Sequence, residues 1–340
     1  MTQLYVVGGR QKASVDPSVK EWRAFEAGVV VRVDLETKQA ETVLEYVSPP
    51  EAVPDEEPSV VFKSASLRDG RLYVPTQTEV LVYEVPSFRR VGYVSLPSFN
   101  DVHHVAPSPA GTLYVANTGL DMVQEIDLDG RVLREWSTAD EELWTRFSRD
   151  VDYRKVATTK PHKTHPNHTV QLDGDLWVTR CDHHDFLCLT SERAPIPVAD
   201  RWIHDGILRG DRLYFTAVNG QVVVMNRDGS DAQRYDLNEL ANKQSSRIDA
   251  PLGWCRGLEV LDDGRVVVGF SRMRQTKWKE RVKWAKSQLG RDVHELYPTR
   301  VVTFDLERRR QDDEINLEGA GINAIFSVHR TDTGGVTTGA

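Results

Sequence analysis

The chain has 340 residues, 39% of them hydrophobic and 28% charged, with 8 Trp, 10 Tyr and 10 Phe. That excludes a disordered polymer and is enough chain to bury a core without disulfides or structural metal. The formal charge of −8 (43 Lys and Arg, 51 Asp and Glu) argues against nucleic acid as a partner. Three cysteines, Cys181, Cys188 and Cys255, are too few for a disulfide framework and point to a reducing, cytoplasmic setting. No window approaches the roughly 18 apolar residues of a membrane span. Residues 1–9 lack the basic and apolar stretches of a secretory signal.

In chain order, the first strand-like runs are residues 4–7, 29–34 and 41–46. A repeated unit then begins. It has an apolar strand, an Asp-Gly or similar turn, and a second β-rich strand, as in residues 64–74 around Asp69-Gly70. The unit recurs from His104 through Gly111, His168 through Gly174, His204 through Gly210 and Arg256 through Gly264. Two more strand-like runs follow each hairpin, for example 80–85 with 90–96 and 122–128 with 132–136. Four antiparallel strands in about 40 residues are the pattern of a propeller blade. Five complete blades begin near residues 60, 101, 166, 202 and 254. A lone strand at 322–328 completes the blade begun by the three N-terminal strands. The sequence therefore predicts an all-β fold, a six-bladed β-propeller over residues 1–332, closed by its two termini, with a flexible tail at 333–340. The split blade is numbered one, so His104, His168 and His204 open blades three, four and five.

Long insertions are expected at 8–28, 48–59, 138–164, 238–253 and 271–299. By propeller geometry all five belong to the face at which the innermost strands begin, here called the top. Loops carried by a rigid scaffold concentrate function. Nine of the 10 histidines fall there too, His329 being the exception. A polar ring of Ser64, His104, His168, His204, Arg256 and Asn323 is expected around the central funnel. Within the pairs His103/His104 and His165/His168 the sequence does not say which member faces inward, because a one-residue slip exchanges the faces of a strand.

Three convergent imidazoles suggest a divalent metal (Zn, Fe, Mn, Cu or Ni) held by His104, His168 and His204, with open positions for water and substrate. Asp101, Asp182, Asp185 and Asp205 are expected to orient the rings. Arg180 and Arg256 suit a small-molecule substrate, anionic or polar, and His165 and Asp205 complete the candidate catalytic set. A metal-free alternative is acid–base or nucleophilic catalysis by histidine. His165-Pro166-Asn167-His168, followed by Val178-Thr179-Arg180, resembles a His-x-Asn…Ser-x-Arg segment of bacterial arylsulfotransferases. Ile203-His204-Asp205 is similar to their next His-Asp motif. That resemblance spans blades three to five. It implies a six-bladed propeller in which a histidine, here His204, carries a sulfuryl group. A third possibility is a binding platform presenting Trp144, Trp278 and Trp284. The stretch 272–291 reads as a basic amphipathic helix, a lid or a partner-binding element, and 138–147 as a short helix capped by Ser137 or Thr138. Cys181 and Cys255 are possible additional soft ligands. No GxGxxG or Walker motif is present, so neither dinucleotide nor P-loop chemistry is expected.

Overall fold

The computed structural model describes residues 2–13, 24–56, 58–242, 252–272 and 298–331. Six four-stranded antiparallel sheets form the six blades. The blade-one sheet runs from the C-terminal strand Ala324–Arg330 outward through Gln3–Gln11, Phe25–Asp34 and Ala40–Tyr46. The innermost strands of blades two to six are Ser66–Arg68, Val102–Pro107, Pro166–Leu172, Ile203–Arg209 and Trp254–Val260. The predicted propeller, its six blades and its closure by the termini are all present. The Asp-Gly and Gly-containing turns fall where the sequence put them, with positive φ at Gly70, Gly111, Gly174, Gly210 and Gly264. Glycine pays least for that conformation.

Alternating strands bury their apolar faces between neighbouring blades. Val222, Val224, Leu258, Val268 and Phe270 pack between blades five and six. Leu4, Val6, Val267, Ile325 and Val328 pack between blades six and one. Trp177 stacks on Phe186, and Phe186 meets Phe215 edge-on, joining blades four and five. Each such ring, fully buried, stabilises the fold by roughly 2–3 kcal/mol.

The closing seam depends on a close backbone approach. Gly8 pairs with Ile325, and a Cβ on Gly8 would lie 1.8 Å from the carbonyl oxygen of Ala324. Gly8→Ala is therefore expected to cost about 1–3 kcal/mol through forced displacement of the seam. A urea titration against the parent protein measures it, and an unchanged midpoint would contradict this seam.

Three expectations need correction or fall outside the described residues. The predicted insertion at 8–28 is shorter, because its flanks extend the strands Gln3–Gln11 and Phe25–Asp34. Residues 138–147 form turns and bends rather than a helix. Trp144 there adopts φ +67°, and the Thr138 hydroxyl donates to the Asp121 carbonyl instead of capping a helix. Leu143, Trp144 and Phe147 pack onto Leu120, Met122 and Tyr153. The amphipathic stretch 272–291 lies almost wholly outside the described residues. So do Trp278, Trp284, His294, the tail 333–340 and most of 238–253.

Candidate functional site

A β-bulge near the start of the innermost strand builds the site. Register shifts occur between Val102 and His104, Pro166 and Thr169, Ile203 and Gly206, Cys255 and Leu258, and opposite Ile325 and Ser327. Each inserts one extra residue, which a bulge re-aims out of the ladder. By this register the equivalent residues are His103, Asn167, His204, Arg256 and Phe326. In blade two the position is Lys63, whose N–H donates to the Pro75 carbonyl at 2.9 Å. The next level down is Ser64, His104, His168, Asp205, Gly257 and Ser327. The expected ring mixed these two levels, with His204 and Arg256 one step above His104 and His168. Asn323 belongs to neither, being held outside the strand by the Gly9 carbonyl and the Gln11 amide.

Of the lower histidines, His104 has both ring nitrogens bonded, while His168 keeps a buried Nδ1 without a hydrogen-bond partner. His104 Nδ1 accepts from the Thr169 amide at 3.1 Å, so its proton is on Nε2, 3.1 Å from Ser66 Oγ. Its ring stacks on His168 with centroids 3.6 Å apart and planes within 22°. Parallel stacked imidazoles cannot aim their lone pairs at one ion. His104, His168 and His204 therefore do not converge as the expected metal set. Among the described residues no group of three His, Cys, Asp or Glu side chains is arranged to hold a metal. Burial lowers His168 to about 4 and His329, further down the channel, also to about 4.

The upper level is different. His204 is 2% exposed. Its Nδ1 lies 3.2 Å from Asp205 Oδ1. Asp205 Oδ2 accepts from the Gly257 amide at 2.7 Å and from the Thr216 hydroxyl. Burial opposes ionisation of Asp205, but the His204 ring and the Thr216 hydroxyl hold it at about 2. The ionised carboxylate fixes the proton of His204 on Nδ1 and leaves Nε2 with its lone pair. That Nε2 is buried without a hydrogen-bond partner. Burial lowers the pKa of His204, so the ring is neutral near pH 7. Expected as a metal ligand and a candidate catalytic group, His204 and Asp205 are thus brought together as a dyad.

Next to the dyad, Arg256 packs on the face of Phe326, 4.9 Å from the centroid. Its Nε is buried and unpartnered. Lys63 packs on the same ring, also at 4.9 Å. Lys63 Nζ donates to Asp101 Oδ1 at 3.1 Å and lies 3.2 Å from His103 Nε2. Asn167 Nδ2 donates to the Ile203 carbonyl at 2.9 Å, which turns its Oδ1 to His103 Nδ1. The proton of His103 is accordingly on Nδ1, and its Nε2 accepts from Lys63. Burial and the Lys63 charge lower His103 to about 3.

Arg180 does not join this group. Its Nε donates to Asp185 Oδ1 at 2.8 Å and Nη1 to the Thr138 carbonyl at 3.0 Å, so it ties the top of blade four to its insertion. His165 does approach, with its ring edge-on to His103 at 4.9 Å and its Nδ1 3.2 Å from His162 Nδ1. Asp121 positions that loop. Its Oδ1 accepts from the amides of Thr164 and His165 at 2.9 Å, and its Oδ2 from the Lys163 amide at 2.8 Å. A cleft lined by Val53, Pro54, Gln77, Asn100, Thr158 and Asp101 opens beside the site. Cys181 and Cys255 are buried thiols, and burial pushes Cys181 up to about 12, away from thiolate chemistry. His183 and Asp182 are exposed in the turn beyond Arg180.

Sequence reasoning missed Lys63, Phe326 and Asn167, and left open whether His103 or His104 faces inward. A signal was present. Taken one residue earlier in blades two to four, the polar ring reads Lys63, His103, Asn167, level with His204 and Arg256.

Neither a scan of protein-family models nor a search of curated proteins returns a match. Solved structures do match. A protein of unknown function from Bacteroides caccae is 13% identical, with 97% of this chain and 99% of that one covered and a TM-score of 0.59. The nidogen/laminin complex matches at 9% identity, 96% and 97% coverage and a TM-score of 0.55. Virginiamycin B lyase from Staphylococcus aureus matches at 11% identity, 75% and 69% coverage and a TM-score of 0.45. At these identities the likeness is one of fold. No helix among the described residues is long and apolar enough to cross a membrane.

Proposed function

We propose that this protein is an enzyme whose funnel takes a small anion on Arg256 and Lys63 and moves a proton through His204. One observation carries the reading. At adjacent bulge positions, His204 Nε2 and Arg256 Nε are both buried and both lack a partner. Buried polar atoms are nearly always satisfied, and an orphaned pair marks the place where a ligand supplies the missing bonds. A guanidinium packed over a ring keeps N–H donors for a carboxylate, phosphate or sulfate. The lone pair on His204, fixed by Asp205, is a base at neutral pH.

The test is calorimetric titration of the purified protein with pyruvate, phosphate and sulfate. At least one should bind, and Arg256→Ala should weaken it by about 10- to 100-fold, the worth of one charge-assisted hydrogen bond. Absence of binding by all three would overturn the reading.

A second reading rests on the same lone pair. Nε2 of His204 is a nucleophile as well as a base. Here it accepts a sulfuryl group from an aryl sulfate donor, the phenol leaves, and an acceptor hydroxyl later removes the group. Intact-mass measurement after donor addition tests this, with a sulfuryl adduct on His204 expected and an unmodified chain refuting it.

A further inference from the structure

Lys63 is the only buried lysine among the described residues. Its stem lies in the wall of the funnel, and its Nζ meets three groups of distinct chemistry. Asp101 Oδ1 at 3.1 Å accepts from it, and His103 Nε2 at 3.2 Å offers it a lone pair. The Phe326 ring lies 4.9 Å away and is shared with Arg256, whose guanidinium is also 4.9 Å from its centroid. His103 Nε2 also lies 3.2 Å from Asp101 Oδ1, so amine, imidazole and carboxylate form one compact buried triad. Asn167 fixes the His103 tautomer so that the acceptor nitrogen faces the amine. The neighbouring cleft is lined in part by Asp101, the carboxylate that pairs with Lys63.

From this juxtaposition we infer that Lys63 is a nucleophilic amine that captures the carbonyl of a 2-oxo carboxylate as an iminium, with Arg256 holding the carboxylate. The inference rests on the anion-binding reading above and names its substrate class. The proton balance closes within the site. Lys63 as ammonium passes one proton to His103 Nε2. The free amine forms the N–C bond as the carbonyl π pair moves to oxygen. That oxygen takes the second nitrogen-bound proton. The carbinolamine hydroxyl then leaves as water with the proton returned by His103, and the nitrogen lone pair forms the C=N bond. One carbonyl and one ammonium give one iminium and one water, with no oxidant or reductant. Burial lowers the Lys63 pKa, with Asp101 opposing, and the transfer itself removes the Lys63 charge that, after burial, helps hold His103 at about 3.

The experiment uses the full chain with pyruvate and sodium cyanoborohydride, followed by peptide mapping. Hydride adds to the iminium carbon and leaves a stable carboxyethyl amine. The expected result is labelling at Lys63 at least about tenfold above any exposed lysine, as a positioned amine should give. It should vanish in Lys63→Arg and fall in Arg256→Ala. Lactate, which has the carboxylate without the carbonyl, is the binding control. If pyruvate and lactate both bind by calorimetry but Lys63 labels no faster than surface lysines, imine formation is refuted and the anion site stands. If neither binds and no label appears, the anion site itself fails and this inference with it. Mapping the wild-type chain decides the matter even if Lys63→Arg does not fold.

Discussion

Replacing His204 by Gln is expected to lower turnover by about a hundred- to ten-thousandfold, the usual worth of a positioned acid–base group. Asp205 is locked by the Gly257 amide and Thr216, so it can only accept from His204 Nδ1. The lone pair of the ring must then lie on Nε2, which is buried and unpartnered. Glutamine preserves polarity and approximate volume but has no basic nitrogen. Asp205→Asn should lower turnover in the same direction, because its amide can donate to Nδ1 and reverse the tautomer. The informative comparison is His104→Gln. Both nitrogens of His104 are spent on Thr169 and Ser66. Its loss should cost stability, about 1–3 kcal/mol for the unpaired partners, with kcat nearly unchanged. Steady-state kinetics on the anionic substrate that the proposed function requires, beside urea titrations, separates the two. Equal losses of kcat in both variants would sink the assignment of His204.

Acid should unfold the protein well above the pH at which carboxylates titrate. His103 is held at about 3, and His168 and His329 at about 4, against 6.5 for free histidine. Burial is the first cause in each case, and it disfavours the charged form. The sign follows from proton counting. Below pH 6.5 the unfolded chain takes up protons at these rings and the folded chain does not. Stability is therefore full above about pH 7 and falls as the pH drops from 6.5 toward 4. Each ring removes about 1.4 kcal/mol per pH unit in that window. Three together remove at most about 4 kcal/mol per unit, a large share of the ~5–15 kcal/mol available to a typical protein. Asp205, held at about 2, adds a further loss below about pH 4. Urea midpoints at pH 7.5, above the window set by these shifts, and at pH 6 and 5, inside it, test this. A midpoint that does not fall would refute it, and His168→Gln should flatten the slope by about one proton.

The lower level, where His104 stacks on His168, contributes to stability, and His103 of the upper level shares with His168 and His329 the sensitivity to pH. The upper level, one bulge residue per blade, leaves donors and a lone pair unspent. Stacking His104 on His168 below therefore helps to hold the level where chemistry is proposed. The resulting wall is rigid and gives Lys63, His204 and Arg256 fixed positions, which loops alone would not.

The repeat by itself determined the fold. An alternating strand, a glycine turn and a β-rich strand, recurring at blade spacing, leave little room for another way to bury six amphipathic sheets, and the lone strand near the C-terminus had one partner set, at the N-terminus. The sequence also placed the histidines at one end of the funnel and singled out His204, Asp205 and Arg256. It could not set their level. A bulge adds one residue without changing the hydrophobic pattern on either side, so His104 and His204 read as equivalent although one step of the ladder separates them. Nor could it show that Asp185 consumes Arg180, that Thr169 and Ser66 consume His104, or that Asn167 turns His103 toward Lys63. Those pairings join residues in different blades or across a hairpin. They are decided by where neighbouring strands meet around the axis, and that is a property of the closed ring.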